Sequence, residues 1–117
     1  MKVLYVEDEP SLREEVALIL ELEEYQVETA ENGIEGLEKV KSFNPDIVLT
    51  DMRMPKMNGE EMLVEIRHGD NPDIPVILIS AFVTSEWSDR LTGKGASAYL
   101  TKPFSIDDLI NTIQQFQ

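Results

Sequence analysis

Five short apolar runs, rich in β-branched residues, recur along the chain with longer segments of helical period between them. They are Val3 to Val6, Val27 to Ala30, Ile47 to Thr50, Val76 to Ser80 and Ala98 to Thr101. Strands separated by whole helices cannot close as tight hairpins. They are joined by crossovers, and crossovers build parallel sheets with helices on both faces. The first, third and fourth runs are almost wholly apolar, as central strands covered on both sides must be. The second is half polar and suits an edge. The expected fold class is α/β, with a doubly wound five-stranded parallel sheet and five helices.

The helices announce their starts. Ser11 with Glu14 and Asn58 with Glu61 have capping-box spacing, and Ser105 with Asp108 has a weaker form of it, each just ahead of an apolar stripe. Leu12, Val16, Ile19 and Leu20 share one face of the first helix, and Ile34, Leu37 and Val40 share one face of the second. Met62, Leu63 and Ile66 line the third, and Leu109, Ile110, Ile113 and Phe116 line the fifth, which is expected to run to the last residue. All of these are assigned to core packing. The fourth helix, over Ser85 to Lys94 ("SEWSDRLTGK"), is expected to be weak: short, frayed or mobile. Its strong apolar anchors are Trp87 and Leu91, and the glycines at its end lower helix propensity. Trp87 is either a partner contact or the pin that holds this helix down. With no repeat, low-complexity segment or linker, residues 1–117 are expected to form one domain.

Composition removes several classes of function. Of the 117 residues, 42% are hydrophobic, enough for one core. Cysteine is absent, which excludes a disulfide scaffold and a thiolate metal site. Nothing resembles a signal peptide or a membrane span, so a cytoplasmic location is expected. Ten basic residues against 23 acidic ones give a net charge of -13, which repels phosphate backbones and anionic lipid. Direct nucleic-acid or membrane binding is not expected; cations and basic surfaces are the natural partners.

The first apolar run ends in Glu7, Asp8 and Glu9 ("LYVEDEP"), a costly place for carboxylates unless they have work to do. In an open α/β sheet, ligands bind beyond the carboxyl ends of the strands, where the winding reverses. Glu7 and Asp8 follow the first strand, Asp51 the third, Ser80 the fourth and Lys102 the fifth. Strand order 2-1-3-4-5 would bring all of them to one rim. Carboxylates crowded there need protons or a cation. Oxygen-only ligands suit Mg²⁺, since there is no cysteine and the one histidine, His68, sits far along the third helix as an ordinary surface residue. Asp51, flanked by Leu49, Met52, Met54 and Pro55, can act as a nucleophile toward phosphorus if a metal manages its charge. The Lys102 ammonium would offset charge on the phosphoryl oxygens, Ser80 would donate its hydroxyl to them, and Ala81 leaves room for the group to approach.

The segments "YVEDEP", "DIVLTDMRMPKMNGEEML", "PVILISAF" and "GASAYLTKPF", in this order and spacing, carry a resemblance that covers essentially the whole chain. Together they resemble the receiver domain of bacterial two-component response regulators, chemotaxis regulators among them. The resemblance implies a flavodoxin-like fold and a phosphorelay switch. Asp51 would be phosphorylated, in a Mg²⁺-dependent reaction, from a phosphohistidine on a sensor histidine kinase or histidine phosphotransfer protein. It further implies that Asp8 and Asp51 bind Mg²⁺ directly, that the backbone carbonyl of Arg53 is a third ligand, and that Glu7 helps through water. Ser80 and Tyr99 match the switch pair, Lys102 the family lysine, and Pro103 a position where the family often has a cis bond. Arg53 and Phe82 match positions that tune phosphoryl lifetime. Such a domain is a signalling switch that assists its own phosphorylation and dephosphorylation, not an enzyme in the ordinary sense. Its output passes through the surface of the fourth helix, fifth strand and fifth helix to a downstream protein, an attached output domain or a phosphorylation-dependent homodimer.

Two departures stand out. Glu7 replaces the more usual aspartate, and Thr92, Gly93 and Lys94 replace small or apolar residues beside the output face. Two other readings stay open: a degenerate receiver that docks without phosphate, and a magnesium-dependent phosphohydrolase with an aspartyl nucleophile. The latter typically places an acid two residues beyond the nucleophile, where this chain has Arg53.

Overall fold

The computed structural model describes residues 1–117. Its elements alternate as β1 (Lys2–Val6), α1 (Pro10–Leu22), β2 (Gln26–Ala30), α2 (Gly33–Phe43), β3 (Ile47–Asp51), α3 (Gly59–Arg67), β4 (Val76–Ser80), α4 (Ser85–Gly93), β5 (Ala98–Thr101) and α5 (Ile106–Gln114). All strand pairs are parallel, in the order β2-β1-β3-β4-β5. The α/β class, the strand order and the flavodoxin-like winding are as the sequence implies. Polar β2 lies at an edge, while β1, β3 and β4 are buried almost throughout.

Alternation along the strands divides the core into two layers. Leu4, Val6, Val48 and Leu78 point to one face and pack against Met62, Leu63 and Ile66 of α3 and Leu91 of α4, with Leu37 and Val40 of α2. Val3, Tyr5, Leu49 and Ile79 point to the other and meet Val16 and Leu20 of α1 and Leu109 and Ile113 of α5. No helix is long and apolar enough to cross a membrane.

Local signals hold at some helix ends and fail at others. Asn58 and Glu61 form the expected reciprocal capping box, and the Ser105 hydroxyl accepts from the Asp108 amide. At α1, Glu9 takes the place expected of Ser11. Its carboxylate accepts from the amides of Ser11 and Leu12, because Pro10 enters at the first helical position and moves the start upstream. Helix α5 stops at Gln114, short of the chain end.

Helix α4 spans nine residues, as many as α3 and α5, and is therefore not short. Its apolar anchoring is as thin as expected, with Leu91 its one buried residue. Polar contacts supply the rest. Thr84 caps it, the Glu60 carboxylate of α3 accepts from Arg90 and Lys94 at 2.9 Å, and the Tyr99 hydroxyl of β5 donates to the Ser88 carbonyl at 2.7 Å. Trp87 stands edge-on to Tyr99, with ring centroids 5.2 Å apart. Beyond α4 the chain turns at Gly95, whose φ of 104° lies in the left-handed region. The Arg67 guanidinium holds that turn by donating to the Gly95 carbonyl at 2.7 and 3.0 Å, while also binding the carbonyls of Pro72 and Ile74.

Candidate functional site

The ends of β1, β3, β4 and β5 are placed side by side by their pairing: Val6 lies opposite Thr50, Asp51 opposite Ile79, and Ser80 opposite Thr101. Each chemically distinctive residue sits at or just past one of those ends. Asp51 is the last residue of β3, one position further into the strand than its sequence signal implied.

Glu7, Asp8 and Asp51 each bring one carboxylate oxygen to a point where all three lie within 4.8 Å of one another. Glu7 and Asp51 are buried, at 1% and 8% exposure, whereas Asp8 is exposed. The Lys102 ammonium bridges the buried pair, 2.8 Å from Glu7 Oε1 and 3.3 Å from Asp51 Oδ2. The Lys102–Pro103 bond is cis.

Burial pushes the Glu7 carboxyl above its usual range; the Lys102 hydrogen bond opposes that rise, and the charge of Asp51 adds to it. Burial alone would lower the Lys102 ammonium, but its hydrogen bond to Glu7 and the charge of Asp51 outweigh this and leave it raised. One ammonium against three carboxylates leaves the cluster net negative. The donors are all oxygen, and the one histidine lies at the end of α3 with Nδ1 on the Val64 carbonyl. This donor set fits a hard divalent cation such as Mg²⁺.

Two clefts open beside the cluster. One, of about 160 Å³, is lined by Asp51, Arg53, Ser80, Ala81, Phe82 and Lys102. The other, of about 450 Å³, lies between Asp8 and the residues Met52, Arg53, Met54 and Asn58. Ser80 Oγ accepts from the Phe82 amide at 3.1 Å, and Phe82 itself is 73% exposed on the rim. Tyr99 stands apart from the cluster: it is half-buried on β5 with its hydroxyl on α4.

Several residues at the site carried no reading of their own in the sequence. Arg13 Nη1 donates to the carbonyls of Glu7 and Asp8 at 2.9 and 3.4 Å, holding the acid pair by its backbone. The Glu9 amide donates to Glu7 Oε2. Tyr5 lies wholly buried beneath Glu7. Only the last had a visible signal, since residues two apart on a strand share a face.

A five-stranded sheet wound in this order, with acids and a lysine gathered at its carboxyl rim, defines a phosphorelay switch domain. The chain matches the response regulator receiver domain over residues 3–114 and belongs to that family. It is 39% identical, over 97% of its length, to the response regulator ArlR of Staphylococcus saprophyticus, covering 50% of that protein. It is 38% identical, over 92% of its length, to hybrid signal transduction histidine kinase D of Dictyostelium discoideum, covering 7% of it. The chain thus spans half or less of the length of these curated relatives. Among solved structures, chemotaxis protein CheY4 of Vibrio cholerae superposes with a TM-score of 0.93 at 32% identity, covering 99% of this chain and 98% of that one. The receiver domain of sensor histidine kinase PA1611 from Pseudomonas aeruginosa, which has a magnesium ion coordinated in its active-site cleft, superposes with a TM-score of 0.88 at 27% identity, covering 98% and 95%. Phosphorylation-dependent switching is the general function of the family.

Proposed function

We propose that Asp51 is the phosphoacceptor of this receiver, that residues 1–117 act as one unit, and that the phosphoryl group comes from a phosphohistidine on a sensor histidine kinase or phosphotransfer protein. The observation that carries the reading is the Lys102 ammonium, held between Glu7 and Asp51 beside a small cleft. In the transfer, an Asp51 carboxylate oxygen attacks phosphorus, the P–N bond to the donor imidazole breaks, and the departing nitrogen keeps the electron pair and takes up a proton. Lys102 neutralises charge on the phosphoryl oxygens, Ser80 donates its hydroxyl to them, and Ala81 leaves the approach open. Asp8 and Asp51, with the Arg53 carbonyl, would hold Mg²⁺, and Glu7 would support it through water. When bound, the ion would supply electrostatic stabilisation of the transferring group.

Phosphorylation then acts on the α4–β5–α5 surface. Ser80 turns toward the phosphoryl group and breaks its contact with the Phe82 amide. Tyr99 exchanges its hydrogen bond to the Ser88 carbonyl for an inward position. Water later hydrolyses the aspartyl phosphate with help from the same residues. The signal passes to a downstream protein, an attached output domain or a second copy, in the cytoplasm. Arg53 at the position where a phosphohydrolase carries its second acid speaks for the switch over steady turnover.

Incubation with acetyl phosphate and Mg²⁺, followed by mass spectrometry of peptides, should place one labile phosphoryl group on Asp51. Asp51→Asn is nearly isosteric and should fold normally yet remain unlabelled. Uptake by that variant at the wild-type rate would remove the assignment, and no uptake by the wild type would favour a phosphate-independent docking module.

A further inference from the structure

Tyr5 heads the large side chains that are fully buried, at 0% exposure, in the layer between the sheet and helices α1 and α5. A phenylalanine would fill that apolar space equally well, so the hydroxyl needs its own explanation. A buried hydroxyl requires a partner. The partner of Tyr5 is Glu7 Oε1, 3.5 Å away and one residue past the end of β1. The separation is long for a hydrogen bond, and the same oxygen also accepts from Lys102 at 2.8 Å.

Glu7 is thereby held from several sides. Tyr5 and Lys102 donate to Oε1, the Glu9 amide donates to Oε2, and Arg13 holds the Glu7 carbonyl. Lys102 is shared with Asp51, whereas the Tyr5 hydroxyl serves Glu7 alone. We infer that Tyr5 is a positioning residue of the cation site: its hydroxyl fixes the orientation of the buried Glu7 carboxylate beside Asp8 and Asp51. This rests on the proposed role of those three acids in holding Mg²⁺. It also gives the glutamate at position 7 a physical reason. The longer side chain has the reach to fold back onto a hydroxyl two residues behind it, and an aspartate one methylene shorter does not.

The test is a double-mutant cycle read by Mg²⁺ affinity, from titration of the amide resonances of residues 7–9 and 51 in the full chain. Tyr5→Phe should weaken Mg²⁺ binding about threefold, below the tenfold or more that follows loss of support behind a direct ligand, because Glu7 acts through water. In a Glu7→Asp background the same change should have no effect, because the shorter carboxylate has withdrawn from the hydroxyl. Unchanged affinity in Tyr5→Phe, or an equal loss in both backgrounds, overturns the inference. So does a Tyr5→Phe protein that fails to fold, since the role would then be general packing. A wild-type protein that binds no Mg²⁺ overturns the cation site itself, an outcome distinct from a wild type that binds and a variant that binds equally well.

Discussion

Gly59 opens helix α3 against the backbone of Asp51, the proposed phosphoacceptor, and adding one carbon there tests how tightly the site is built. A Cβ on Gly59 would lie 2.4 Å from the Asp51 carbonyl oxygen and 3.2 Å from the Met52 Cα. Both neighbours are backbone, so no side chain can swing aside. Real Cβ contacts do not fall below 3.0 Å, so Gly59→Ala must part α3 from the end of β3 by at least about 0.6 Å. That opening strains the hydrogen bond from the Gly59 amide to the Met52 carbonyl, now 3.0 Å. Overpacking of this kind costs about 1–3 kcal/mol. Against it, alanine regains roughly 0.5–1 kcal/mol of helix propensity, less at the first turn. The net expectation is a loss of about 1–2 kcal/mol, or a fall in Tm of about 4–8 °C for a domain of this size. Urea unfolding gives the first quantity and calorimetry the second. The Asp51 carboxylate rides on the displaced backbone, so Mg²⁺ affinity should fall as well. A Gly59→Ala protein as stable as the wild type, with unchanged Mg²⁺ affinity, would refute both the contact and its link to the site.

Other outcomes follow from the same geometry. Lys102→Ala leaves the buried Glu7 carboxylate without its ammonium and should cost about 1–2 kcal/mol without metal, less than a fully buried pair because Lys102 is partly exposed. Mg²⁺ should close part of that gap in Tm, and a gap indifferent to Mg²⁺ would contradict the shared-charge reading. The same variant should keep metal binding while phosphorylation no longer perturbs the amide spectrum of α4 and β5; a normal shift would count against Lys102 as the coupling group. Hydrogen bonds from Arg90 and then Lys94 hold the Glu60 carboxyl below its usual range. The folded state therefore binds this proton less readily than the unfolded one, and the stabilisation is full above the unfolded value near 4.5 and lost as pH falls through the lowered one. Protection of α4 amides, corrected for intrinsic exchange, should be the lowest among the five helices and should drop across that interval. Glu60→Gln should already show the low value at neutral pH, and identical pH profiles for the two proteins would dismiss the clasp.

What could be read in advance divides along a physical line. Apolar runs mark strands because burial demands them, and their carboxyl ends collect ligands because the winding leaves a crevice there. Asp8, Asp51, Ser80 and Lys102 could thus be assembled before any coordinates. Contacts whose partners lie far apart in sequence left no such trace. Glu60 meets Arg90 and Lys94 across 30 and 34 positions, and Arg67 reaches Gly95 across 28. Each is an ordinary surface charge until the topology sets α3 beside α4.

That placement alters how the fourth helix is understood. Its sequence is poor in apolar anchors, which reads as looseness, yet α3 grips it with Glu60 near one end and braces the turn behind it with Arg67 at the other. The first residue of α3, Gly59, also rests on the Asp51 carbonyl. A single nine-residue helix therefore touches the end of β3 at its start and adds charged contacts to the thin apolar anchoring of α4. Exposed ion pairs are individually weak and screened by salt. With one buried residue and such contacts around it, α4 is the helix that the proposed chemistry at Asp51 would displace at the smallest cost.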